Sequence, residues 1–262
     1  FVWFVGVVED RNDPSELGRV RVRCVGFHTE DKTRIPTEGL PWAHVMHPVT
    51  DPSMSGMGHT PSFLVEGSWV VGFFRDAEEK QQPIVMGTLP GIPEDLGNPN
   101  TGFNDPNRRD DDSSKPGYNV SIYPREEDVP DVNRLARTID QEEQNKTILR
   151  SKRATVVNGV RSASGETWDE PPTTYNAKYP KNHVFESEAG HIVEYDDTSG
   201  SSRVHHYHAS GTMYEIDSIG NKVDKVVGIN YGIKKANSWE FVEGDMNLTV
   251  HGTLNIKAKN FN

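Results

Sequence analysis

Val242-Glu243-Gly244-Asp245-Met246-Asn247-Leu248-Thr249-Val250-His251-Gly252-Thr253-Leu254-Asn255-Ile256-Lys257-Ala258 carries an apolar residue or glycine at every even position and a polar residue at every odd one. A period of two is that of extended chain, whose side chains alternate between faces. The run outlasts an ordinary strand, and the triplets Val242-Glu243-Gly244 and Val250-His251-Gly252 divide it at eight-residue intervals. Short strands therefore alternate with glycine bends. Upstream, Gly228 and Gly220 fall on the same spacing, with Ala236 in the slot between Gly228 and Gly244, and Thr212 and Asn260 at the two ends. A repeat this short buries almost nothing within one chain, so its apolar face has to be covered by further copies. The pattern predicts an intertwined assembly.

Composition points the same way. A chain of 262 residues has room for one large domain or two small ones. A hydrophobic content of 34% with 23 Gly and 17 Pro favours an elongated, β-rich and partly irregular protein over one compact globule. The net charge of -11 argues against a phosphate-rich partner, because a nucleic-acid binder needs cations for the backbone. Cys24 is the only cysteine, which excludes an internal disulfide and a cysteine-rich zinc site and leaves a core residue. Phe1 to Val8 is too short to span a bilayer, lacks a basic flank, and reads as a strand. The absence of an initiator Met implies that the natural N-terminus was removed or lies upstream.

Residues 1–95 contain five strand-like segments: Phe1 to Val8, Gly18 to Gly26, Leu40 to Met46, Ser68 to Phe74 and Pro83 to Thr88. Five short strands in so few residues predict a small barrel. In Arg19-Val20-Arg21-Val22-Arg23 the valines take one face and the arginines the other, which is expected to be solvated. Residues 96–180 read as an extended connection, rich in Pro, Asn, Asp and Gly, with short helical turns at Asp131 to Arg137 and Gln141 to Arg150. The Asp110 to Asp112 run within it is a solvated charge cluster rather than a metal site. From Tyr179 strands return, with turns at Asp196-Asp197-Thr198-Ser199-Gly200 and Ser210-Gly211.

His205-His206-Tyr207-His208 is the sharpest chemical constellation. On a strand, His206 and His208 share a face with Val204, and three chains would gather their imidazoles. His191 and His251 have no partner at ligand spacing and are expected to face solvent.

Three ordered stretches resemble the central spike protein of contractile phage tails. That family includes the baseplate-hub tail lysozyme of T4-like phages and, more distantly, the spikes of type VI secretion. Gly18-Arg19-Val20-Arg21-Val22-Arg23 and Pro83-Ile84-Val85-Met86-Gly87 resemble its OB-fold domain. Tyr179 to His191, continuing through Glu194 to Thr198 and Ser210 to Ile216, resembles the strands that lead into its needle. The Val-x-Gly octads match its triple-stranded β-helix.

The resemblance implies an all-β protein. An OB-fold barrel at 1–95 is followed by the linker at 96–180, and the lead-in strands and the start of a trimeric triangular β-helix occupy 181–262. It further implies a homotrimer in the tail baseplate of a virion, made in the host cytoplasm. Its OB domain would dock on a trimeric hub protein, and its needle, capped by a conical tip protein, would carry contraction force through the host outer membrane. Val242, Met246, Leu248, Val250, Leu254 and Ile256 would then point to the threefold axis, with Gly228, Gly244 and Gly252 at bends. The octad register reaches Asn260, so further octads or a cap are expected beyond Asn262.

T4-like members carry a muramidase domain between barrel and needle. Glycoside cleavage needs a cleft that holds two carboxylates at a fixed separation, one of them protonated. Glu142 and Glu143 are present here, but no strand-and-helix pattern surrounds them. The chain is therefore expected to be a non-enzyme with no catalytic, cofactor or metal site. The family's shorter relatives hold iron through a His-x-His pair at the needle tip, whereas here the octads continue beyond His206 and His208. Three other readings remain: a type VI secretion-like spike, a nucleic-acid-binding OB protein with a trimerising tail, and a cell-wall hydrolase. A nucleic-acid binder would interleave cations with aromatics, and Trp3, Trp42 and Trp69 lack surrounding Lys clusters.

Overall fold

The computed structural model describes residues 1–95, 97–106, 128–137 and 156–260. These divide into two compact units, one of Phe1–Asn133 with Ser187–Ala189 and one of Arg134–Glu186 with Gly190–Asn262. Asp110 to Asp112, Glu142, Glu143 and the Gln141 to Arg150 stretch lie outside the described residues.

In the first unit, β1 (Val2–Asp10), β2 (Val20–Cys24), β3 (Trp42–Val45), β4 (Trp69–Phe74) and β5 (Pro83–Thr88) close into a barrel in the order β1-β2-β3-β5-β4. All pairs are antiparallel except β3 with β5. Each strand matches one of the five apolar segments of the sequence to within a few residues. Alternation drives Phe4, Val8, Val20, Val22, Cys24, Val70, Phe74 and Val85 into one core, each large side chain contributing roughly 1.5 to 3 kcal/mol. Phe4 and Phe74 meet there with ring centroids 5.0 Å apart. Closure depends on Gly72, where a Cβ would collide with the Ile84 carbonyl oxygen and the Phe4 ring. No α-helix occurs among the described residues, and Thr37–Gly39 forms a single 3-10 turn.

The second unit is built on an antiparallel meander of β8 (Asn182–Glu186), β9 (Ile192–Asp196), β10 (Arg203–Tyr207), β11 (Met213–Ile216) and β12 (Lys222–Lys225). A separate hairpin pairs β6 (Val160–Arg161) with β7 (Thr167–Trp168). Gly200 and Gly211 turn the chain at φ 80° and 96°, a backbone that side chains rarely adopt. Leu135, Tyr175 and Ala177 cover one face of the sheet and join Ile192, Tyr207 and Met213 in its core. Part of the segment read as a connection thus serves as a strap, and Asp131 to Arg137 forms turns rather than a helix. Tyr175 secures the strap by donating from its hydroxyl to the Leu135 carbonyl at 2.7 Å.

Between Val226 and Asn260 no residue belongs to a strand. The octads have the period of extended chain and, among the described residues, no strand partner within their own chain. Gly228, Gly244 and Gly252 have open space where a Cβ would stand, and none has positive φ, whereas Gly220 has φ 89°.

Candidate functional site

The covered face of the meander carries charge as well as apolar side chains. Register places Glu194, His205 and Glu215 side by side on β9, β10 and β11, and all three are buried. Arg203, two residues before His205, lies between the carboxylates. Its Nη2 donates to Glu194 Oε1 at 2.6 Å and its Nη1 to Glu215 Oε2 at 2.8 Å. His205 Nδ1 stands 2.8 Å from Glu194 Oε2, and Asn182 Nδ2 donates to Glu194 Oε1 at 2.8 Å. Glu215 also accepts from the Thr174 amide and the Thr173 hydroxyl, both at 2.9 Å, which fastens the strap to the sheet.

Burial alone would push the Glu194 carboxyl up, but the His205 hydrogen bond and the charge of Arg203 hold it below the ordinary carboxylate range. Glu215 behaves alike: burial is opposed by the charge of Arg203 and the Thr174 amide, and its pKa is lowered. The network ties β8, β9, β10, β11 and the strap together, while Arg203 Nε and Asn182 Oδ1 have no hydrogen-bond partner among the described residues.

The histidine cluster divides across this sheet. His205, not singled out as a candidate, is fully buried, because β10 alternates with Arg203, His205 and Tyr207 inward. Val204 and His206 take the outer face as expected, and His206 stacks on Tyr214 with centroids 4.7 Å and planes 15° apart. His208 lies past the strand and is exposed. His191, expected to face solvent, is half-buried: its ring lies 4.4 Å from that of His208, and its Nδ1 accepts from the Ala209 amide. His251 is exposed. Among the described residues no group of three or more His, Cys, Asp or Glu is arranged to hold a metal ion. The same outer face leaves Phe185 and Tyr195 exposed.

In the barrel unit the arginine face of β2 is not solvated, which corrects the reading of Arg19-Val20-Arg21-Val22-Arg23. Arg23 is 0% exposed and donates from Nε to Glu9 Oε1 at 2.5 Å, from Nη1 to the Thr29 carbonyl at 2.6 Å and from Nη2 to the Ile35 carbonyl at 2.8 Å. The loop after β2 folds back over it. Arg21 lies over the Trp42 ring at 4.5 Å and donates to the Glu38 carbonyl. Arg19 pairs with Asp13 at 2.7 Å, and this hydrogen bond pulls the Asp13 carboxyl far below its usual range. None of the three is free to bind phosphate. Trp3 is exposed and Trp69 half-buried. An open groove of about 680 Å³ beside the barrel is lined by Arg11, His44, His47, Met54, Met57 and Pro61.

The remaining candidate surface is the tail. Met246, Leu248, Leu254 and Ile256 are 55% to 66% exposed, and Val242 and Val250 are also uncovered. Large apolar side chains left in water in so regular a row mark an interaction surface.

A closed five-stranded barrel followed in sequence by a five-stranded meander and an octad tail defines the class of this molecule. The chain belongs to the Gp5 N-terminal OB domain family, whose model matches residues 26–181, more than half of the chain. The match begins after β2, so the first two strands of the barrel precede it. Over 282 aligned residues the chain is 41% identical to protein Gp5 of Vibrio phage KVP40, covering 96% of this chain and 64% of that protein. Over 109 residues it is 50% identical to the pre-baseplate central spike protein Gp5 of Enterobacteria phage T4, covering 40% of this chain and 19% of that protein. The chain thus spans less than two thirds of the length of each relative it matches here.

Proposed function

We propose that this chain is a structural component of a phage baseplate central spike, in which three copies share one β-helical shaft. The observation that carries the reading is the tail: an alternating apolar face from Val242 to Ala258, exposed and without strand partners in its own chain. Three tails wound together would pair every strand between chains and remove exposed edges along the shaft. Membership in the Gp5 OB family and likeness to the pre-baseplate central spike protein of phage T4 support the baseplate setting. The OB barrel would seat on a trimeric hub protein, and the meander, stiffened by Arg203, would pass contraction force into the shaft.

Residues 1–262 act mechanically and cleave no cell wall in this reading. Sedimentation velocity tests the assembly: a single species of three chains, resistant to dilution, is expected. A monomer under native conditions would sink the shared shaft. Zymography on peptidoglycan tests the second part, and a lytic band abolished by Glu142→Gln or Glu143→Gln would overturn it.

A further inference from the structure

The apolar side of the tail changes parity. From Val242 onward the large apolar residues are even-numbered, but immediately upstream they are odd: Ile229, Tyr231, Ile233, Trp239 and Phe241, each 79% to 85% exposed. The even positions between them hold Asn230, Gly232, Lys234, Ala236, Ser238 and Glu240, and Lys235 and Asn237 interrupt the odd stripe. Gly220 and Gly228, and Gly244 and Gly252, stand eight residues apart with Ala236 midway between the pairs, so the repeat length is kept while the apolar face changes.

Resting on the three-chain shaft proposed above, we infer that each chain turns over between Phe241 and Val242. Ile229, Tyr231, Ile233, Trp239 and Phe241 then face the axis and pack against the same residues of two further copies. Below them Met246, Leu248, Leu254 and Ile256 take over the axis.

Three observations carry this. First, odd parity continues the face that the chain itself covers: Met213 on β11 lies in the core of the second unit and Val223 on β12 packs against it, with Val223 opposite Glu215 in register. The stripe from Ile229 extends that covered side. Second, an unbroken even face would set Lys234 and Glu240 of three chains on the axis and leave five large apolar side chains per chain in water, whereas the odd face carries those five apolar side chains together with Lys235 and Asn237. Burying each such side chain is worth roughly 1.5 to 3 kcal/mol, whereas burying unpaired charge is costly. Third, Phe241 and Val242 are adjacent apolar residues, as a crossing between faces requires. A one-residue slip of pairing moves every following side chain to the opposite face, and a β-bulge accomplishes such a slip.

Single cysteines read the parity directly. Native Cys24 gives no background, being fully buried with its thiol pushed up to about 12. Ile233→Cys, Ser238→Cys, Met246→Cys and Asn247→Cys would each be labelled with a maleimide on protein whose mass in solution is measured first. In the trimer, Ile233→Cys and Met246→Cys are expected to react at least about a hundredfold more slowly than Ser238→Cys and Asn247→Cys, an opening free energy of about 2.7 kcal/mol. A trimer in which Ile233→Cys reacts as fast as Ser238→Cys overturns the turnover while leaving the shaft intact. A monomer overturns both. Should Ile233→Cys fail to assemble, the fluorescence difference between unmodified protein and Trp239→Phe replaces it: acrylamide-protected emission supports an axial Trp239, and freely quenched emission overturns it.

Discussion

Arg203 and Glu194 form an ion pair at 2.6 Å in which neither side chain is exposed to solvent. Alternation on adjacent strands of the meander puts both on the face covered by the strap, and Arg203 reaches Glu215 from the same position. Breaking a buried pair by removing one partner strands the other charge, typically at a cost of about 3 to 5 kcal/mol. Arg203→Met is therefore expected to destabilise the second unit by roughly that amount at neutral pH, measured by urea denaturation.

The same pair gives the protein a signed pH dependence. Glu194 and Glu215 have folded pKa values below their ordinary ones, so they contribute stability that is present above the ordinary carboxylate range and lost as pH falls through the folded values. Without Arg203 less opposes burial at both carboxyls, so less of this acid-sensitive stability remains. The penalty of Arg203→Met should shrink toward acid pH. An unfolding series showing a constant penalty from neutral to acid pH would refute the coupling.

Barrel closure predicts a contrast between two glycines on neighbouring strands. Gly72→Ala forces a methyl into the Ile84 backbone and the Phe4 ring, and overpacking of this kind costs about 1 to 3 kcal/mol. Gly87→Ala meets open space and no positive φ. It should be neutral or stabilising by up to about 1 kcal/mol, through the entropy of the unfolded chain. Thermal melts of the two variants check the pair.

Cys24 has its thiol pushed up to about 12 by burial in the barrel core, so little thiolate exists at pH 8. A disulfide reagent should leave the native protein unmodified and titrate one thiol per chain once guanidinium unfolds the barrel. Rapid modification of native protein would contradict the packing of β2.

The barrel strands were legible because turn residues bracket short runs rich in β-branched and aromatic residues, as at Trp69 to Phe74 and Pro83 to Thr88. Arg23 was not legible from its own strand, since Arg-Val-Arg-Val-Arg is the pattern of a solvated outer face. The available signal lay in β1, where the consecutive apolar residues Val7 and Val8 stand on opposite sides of one strand and are both buried, as a strand end covered on both faces requires. Glu9 sits where the β1–β2 register shifts, between Val8 and Asp10, and bonds Arg23 from there. His205 was hidden by its neighbours. Composition favours His206 and His208 as the pair, and only hairpin register reveals that His205 lies opposite Glu194 on one side and Glu215 on the other. The turns at Gly200 and Gly211 fix that register.

The strongest test of the tail concerns Val250, which is apolar, lies on the even face and has no strand partner in its own chain. If three chains share an axis there, Val250→Asp brings three carboxylates together in a dry, narrow space, where desolvation and like charge both oppose ionisation. Assembly should fail at neutral pH, with monomers in sedimentation and loss of any band that resists detergent. Acidification that protonates the aspartates should restore part of the trimer, because the like-charge repulsion then disappears while the apolar ladder remains. Glu243→Ala, one residue before Gly244 and on the odd face, removes only a solvated charge and should assemble as the unmodified chain does. If Val250→Asp formed trimers as readily as Glu243→Ala, the even face from Val242 onward would not be the inner one.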